Sequence, residues 1–185
     1  MIAIINFGSK KVPNIEDMLQ NTQMDYQTFD YQNVNSSALK KASAIILSGA
    51  PILLTKADVK PFIKQFNFIK KCKIPILGIC FGHQLIGLLY GSKVYLGEPM
   101  RKNYFINVIE PKKIFQGFGK KTLMTQDHTE GITLPIDFEL MATSPTYEVE
   151  AMRHKSNPIF GVQFHPEVSG KPGLKLLANF VSMIK

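Results

Sequence analysis

The sequence predicts an α/β fold: a single domain built on a doubly wound, mostly parallel sheet flanked by helices, with antiparallel hairpin additions. Three observations lead there. The runs IAIIN (2–6), AIILSG (44–49), IPILGI (74–79) and IFGVQFH (159–165) have the apolar pattern of strands buried on both faces. Between the first three, apolar residues recur at helical spacing. From Gly91 onward, glycines and prolines separate short alternating runs, the pattern of hairpins.

Taken in order, IAIIN is the first strand, and a helix follows Pro13, marked by Ile15, Met18 and Leu19. Tyr26–Tyr31 holds a short strand, and AIILSG is the next buried one. From Lys56 to Lys71, Val59, Phe62, Ile63, Phe66 and Ile69 form a helical stripe with lysines on the other face. The strand at 74–79 runs directly into a helix reaching about Tyr90, in which Leu85, Ile86, Leu88 and Leu89 keep the helical period. VYLG (94–97), NYFINVI (103–109), TLMTQ (122–126), FELMAT (138–143) and EVEAMRH (148–154) are the hairpin candidates. IFGVQFH returns to the centre of the sheet, and Leu174–Ile184 forms an amphipathic last helix. No repeat, low-complexity segment or linker divides the chain, so residues 1–185 read as one domain.

Composition narrows the function classes. Of 185 residues, 45% are hydrophobic and 19% charged, as in globular proteins. No apolar run approaches the ~20 residues of a membrane span. MIAIINFG lacks the basic leader and cleavage site of a signal peptide. Two cysteines, one of them at a strand–helix corner, make no disulfide framework, and the expectation is a cytoplasmic protein with reduced thiols. The net charge of +8 comes largely from lysine doublets at 10–11, 40–41, 70–71, 112–113 and 120–121. They are scattered and not interleaved with aromatics, so they read as solubilising surface with no specific nucleic-acid or membrane partner.

Sites in doubly wound sheets lie at the carboxyl ends of the strands. Three strands here end unusually, in SGAP (48–51), GICFG (78–82) and FHPE (164–167). Gly78-x-Cys80-x-Gly82 has the form of a nucleophile elbow with a thiol in place of the hydroxyl, the glycines tolerating a tight corner. A thiol nucleophile needs a base, and the base an orienting group. Of four histidines, His165 closes a buried strand. Glu167 stands two residues on, on the same face if the backbone is extended. Pro166 between them suits a strand leaving its ladder. Cys80, His165 and Glu167 thus read as nucleophile, base and orienter. His83 reads as a packing or solvent histidine, His154 as an exposed strand end, and Cys72 as a small buried hydrophobe. The cysteines lack zinc-ligand spacing, and no phosphate-binding glycine loop occurs, so neither metal nor cofactor is expected.

PILGICFGHQ (75–84) and GVQFHPE (161–167), in this order and spacing, resemble motifs of the class I (triad) glutamine amidotransferases. Within that family the chain is most similar to the glutaminase domains of GMP synthases. IINFGS (4–9), SGAP, Asp127-His128 before LPIDF (134–138), and ATS (142–144) extend the resemblance over essentially the whole chain. It implies a flavodoxin-like fold and hydrolysis of the glutamine side-chain amide through a cysteinyl γ-glutamyl thioester. Cys80 would attack, His165 would act as base and then acid, and Glu167 would orient it. Gly49 and the Phe81 amide would form an oxyanion hole, Gln84 would help hold the substrate, and Asp127 and His128 would read its amino-acid end. Ammonia would pass to a separate ATP-pyrophosphatase synthetase subunit that converts XMP to GMP, since no SGGxDS loop occurs here. Three departures stand out: Ala50 in place of the second glycine of SGGP, Phe81-Gly82-His83-Gln84 in place of YGMQ, and Lys10, Lys11 and Pro13 after Ser9. The alternatives are a free-standing γ-glutamyl hydrolase, the amidotransferase subunit of another synthetase, such as anthranilate synthase, and a catalytically silent regulatory or binding module.

Overall fold

Side chains alternate between the faces of a strand, so an uninterrupted apolar run needs packing on both sides. That condition organises the computed structural model, which describes residues 1–35 and 37–184. In chain order the elements begin with β1 (Ile2–Asn6), α1 (Val12–Gln20), β2 (Tyr26–Asp30) and β3 (Ala44–Leu47). They continue through α2 (Lys60–Phe66), β4 (Ile76–Ile79), α3 (Phe81–Leu89) and β5 (Val94–Met100). Then come β6 (Asn103–Val108), β7 (Lys121–Thr125), β8 (His128–Ile132) and β9 (Phe138–Thr143). β10 (Ala151–His154), β11 (Ile159–Val162) and α4 (Gly170–Val181) complete the chain.

One nine-stranded sheet runs β2-β1-β3-β4-β11-β10-β9-β6-β7, and β5 and β8 form a separate antiparallel ribbon. The first five strands are parallel, in flavodoxin-like order, and the remainder are antiparallel. The hairpins therefore extend the parallel sheet as well as decorate it. Ile2 and Ile4 cluster on one face with Ile15, Leu19, Leu176 and Phe180 of α1 and α4. Ala3 and Ile5 cluster on the other with Phe66, Phe81, Leu85 and Ile86 of α2 and α3. No helix among the described residues is long and apolar enough to cross a membrane.

Several boundaries differ from the sequence expectation. α2 starts at Lys60, not Lys56, with Pro61 in its first turn; before it, the amides of Lys56 and Ala57 donate to Leu53 O in a turn. The helix tightens to 3₁₀ over Asn67–Lys71. α4 begins at Gly170, ahead of Leu174, because Pro172 is tolerated in a first turn. β8 was not expected at all, since HTEGI has neither an apolar run nor a clean alternation of large residues. Cys72 is half-buried, not buried, and that partial burial pushes its thiol pKa up.

At the corner after β4, the glycines serve a purpose other than the expected one. A Cβ on Gly82 would lie 2.4 Å from Leu47 O, and one on Gly78 would lie 2.6 Å from the Gly82 backbone. Both let β3, β4 and α3 approach closely, while the left-handed φ falls on Cys80 itself. Because the clash is with backbone that cannot swing aside, Gly82→Ala is expected to cost about 3 kcal/mol or more. Urea unfolding measures this as a lowered midpoint at unchanged slope.

Candidate active site

Cys80 adopts φ 51° and ψ −104° at the start of α3. A non-glycine residue held there costs about 1–3 kcal/mol, so its surroundings must impose the conformation. Two hydrogen bonds help to do so: Cys80 N–H donates to Val162 O at 2.8 Å, and Cys80 O accepts from Gln84 N–H at 3.0 Å. The first reaches the end of β11, the parallel neighbour of β4, where Ile79 is in register with Val162. The thiol is buried, with Gln163 Nε2 3.8 Å and Asp127 O 4.0 Å from Sγ.

Past Val162 the chain leaves the ladder, and His165 N–H donates to Thr125 O at 2.8 Å. His165 Nδ1 lies 2.7 Å from Glu167 Oε1, and their side chains are only 4% and 2% exposed, so water competes little for this contact. The proximity does not arise from extended backbone: Pro166–Val168 is a 3₁₀ turn, and that turn folds the carboxylate back to the ring. Burial opposes charge on the imidazole, but hydrogen bonding and charge from Cys80 and Glu167 outweigh it and push the pKa up to about 10. Gly49 shows how closely the groups meet. A Cβ there would lie 3.1 Å from His165 Cε1 and 3.7 Å from Cys80 Cβ.

These groups border a cavity of about 530 Å³, whose walls include Ser9, Lys11, Ala50, Cys80, Asp127 and His165. Phe81 supplies the first amide of α3, which has no partner within the helix, while the next, Gly82 N–H, donates to Ser48 O at 3.2 Å. Ser48 Oγ accepts from Phe7 N–H at 3.0 Å and donates to Gly49 O at 2.8 Å. With the Gly49 carbonyl held this way, a trans peptide carries the Ala50 N–H on the opposite side. Ala50, not Gly49, lines the cavity. Ala50 has no positive φ, so an alanine fits this loop without strain.

The remaining expected residues divide by where they point. Gln84 lines the cavity but is buried, and its Nε2 donates to Glu130 O and Gln163 Oε1, each at 3.2 Å. Both ring nitrogens of His128 are taken internally, by Glu130 O at 3.0 Å and Gln126 Oε1 at 2.9 Å. Burial lowers the pKa of His128 to about 4 and that of His83 to about 3, so both are neutral. His83 is packed beneath the elbow against Gly161, where a Cβ would sit 2.5 Å from its Nδ1. His154 is half-buried at the end of β10, edge-on to Tyr90 and Phe138. Asp127 keeps an exposed carboxylate at the rim, paired with Lys11.

Glu130 and Gln163 are functional candidates that the sequence did not single out. The buried Glu130 carboxylate accepts from Leu54 N–H at 2.9 Å, Thr55 N–H at 2.7 Å and Thr55 Oγ at 2.5 Å. It thereby fastens the loop after β3 to β8. The available signal was polarity within a buried pattern, as in Gln163 between Val162 and Phe164, both buried.

With this geometry, likeness to known proteins becomes informative. Residues 3–184 match the family model described as "Glutamine amidotransferase class-I". The glutamine-hydrolysing subunit of GMP synthase from Pyrococcus abyssi is 38% identical over 144 residues, 76% of this chain and 75% of that protein. Its counterpart from Methanococcus aeolicus is 35% identical over 189 residues, covering 97% of this chain and 95% of its own. A crystal structure from Thermoplasma acidophilum, provisionally named as a GMP synthase component, superposes with a TM-score of 0.91 at 28% identity. It covers 99% of this chain and 92% of its own. A match over nearly the full length, on a fold whose adjacent strand ends carry Cys80 and His165, fixes the assignment: this chain belongs to the class I glutamine amidotransferases.

Proposed function

We propose that the chain hydrolyses the side-chain amide of glutamine and delivers the ammonia to a separate ATP-dependent synthetase for GMP formation. The observation that carries this reading is the meeting, at the ends of adjacent strands β4 and β11, of a strained buried thiol with a carboxylate-held imidazole. Cys80 Sγ attacks the amide carbon, its proton passing to His165. The C=O electrons move onto oxygen, where backbone amides stabilise the anion. Phe81 N–H is one donor, and the amide of cavity-lining Ala50 suits the second better than that of Gly49. Collapse breaks the C–N bond as His165 protonates the leaving nitrogen, giving ammonia and a γ-glutamyl thioester. Water then attacks the thioester with His165 as base, releasing glutamate and the thiol. Glu167 holds the ring orientation throughout.

The acceptor follows from the relatives, whose names describe the glutamine-hydrolysing component of a GMP synthase. Glutamate and GMP are to be measured with the chain alone and with an ATP-pyrophosphatase synthetase, Mg-ATP and XMP. Glutamate release coupled to GMP formation is expected. No glutamate under either condition would overturn the reading. Brisk release by the chain alone, undiminished on larger γ-glutamyl amides, would favour a free-standing hydrolase.

A further inference from the structure

Lys11 lies in the segment that departs from the family resemblance, and its Nζ is 2.5 Å from Asp127 Oδ2. The partners come from opposite walls of the cavity, one from the loop after β1 and the other from the turn joining β7 to β8. The Asp127 carbonyl is 4.0 Å from Cys80 Sγ, so the pair spans the mouth beside the thiol. Both side chains stay reachable from solvent, at 28% and 44% exposure, and Arg101 adds a second cation to the same rim. An exposed pair of this kind contributes only about 0–1 kcal/mol to stability. What it does present is one positive and one negative charge at the entrance to a thiol. A free α-amino acid carries the complementary pair on a single carbon.

We propose that Lys11 is a specificity-determining residue that binds the α-carboxylate of the substrate while Asp127 takes its α-ammonium, the internal ion pair opening as the two substrate pairs form. This rests on the glutaminase reading above. The exchange leaves no charge without a partner, which a closing site requires. The lysine stem is flexible enough to swing from one oxygen to the other, whereas Asp127 is fixed by a short turn. In the free protein the Lys11 hydrogen bond holds the Asp127 carboxyl below the usual carboxylate range, keeping it ionised for an incoming ammonium. Glutamine within a peptide lacks both head charges, so it cannot open the pair. Selection for the free amino acid follows.

The test compares two alkylators of Cys80 on the purified full chain. 6-Diazo-5-oxo-L-norleucine carries both head charges of glutamine, and iodoacetamide carries neither. Lys11→Met and Asp127→Asn should each slow inactivation by the first about tenfold, the equivalent of one lost ion pair. Iodoacetamide rates should change far less. The exchange Lys11→Asp/Asp127→Lys should not restore the fast reaction, because each head charge then faces its like. Equal slowing with both reagents, no slowing, or rescue by the exchanged pair would each overturn the proposal. Wild-type protein alkylated by iodoacetamide but indifferent to the norleucine would instead fail the glutaminase reading beneath it.

Discussion

Replacing Cys80 with alanine is expected to abolish glutamate release, a loss on the order of 10⁴-fold or more, since no other group can form the thioester. A coupled glutamate assay measures it, with the synthetase present. Alanine inherits φ 51°, so Cys80→Ala should remain folded and about as strained as the parent. Cys80→Gly gives a sharper check: it should be equally inactive yet more stable, by about 1 kcal/mol, because glycine accepts positive φ freely. Activity and stability then move in opposite directions at one position. Retained activity in both variants would remove Cys80 from the mechanism.

Glu167→Gln is expected to lower kcat on the order of 10³-fold, the scale of losing the group that sets a catalytic histidine's tautomer. The carboxylate accepts from Nδ1–H at 2.7 Å, leaving Nε2 to receive the thiol proton. A glutamine that turns its NH₂ toward Nδ1 forces the ring proton onto Nε2, and the base is lost. Stability supplies an independent readout. The folded-state pKa of His165 is raised, to about 10, so its stabilising contribution is fully present below the ordinary histidine value of about 6.5. That contribution is lost as pH rises through the folded value. Wild-type urea midpoints should therefore fall between pH 6 and pH 10, and the fall should be shallower in Glu167→Gln. Identical slopes would mean that Glu167 does not hold the proton on His165.

The parallel half of the sheet was legible because burial on both faces writes itself into sequence as apolar runs such as Ile2–Ile5 and Ala44–Leu47. Cys80, His165 and Glu167 were legible because each stands where such a run stops. β8 was not, since its place depends on the ribbon with β5 and on the Glu130 carboxylate bound to a loop 75 and 76 residues away. Lys11 and Asp127, 116 positions apart, carry no spacing that announces a pair. The role of the elbow glycines was misread for a related reason. A positive φ and a close backbone approach both call for glycine locally, and only the position of Leu47 O distinguishes them.

The pairing of β4 with β11 also sets the moment in synthesis at which the chemistry can start. β4 leaves the ribosome long before β11, the last strand of the chain. Until β11 docks, β4 lacks its neighbour, the Cys80 amide lacks Val162 O, and neither imidazole nor carboxylate exists near the thiol. Domains fold as units when their long-range strands close. A nascent chain therefore carries an unarmed cysteine through most of its translation, and completing the sheet is itself the arming step.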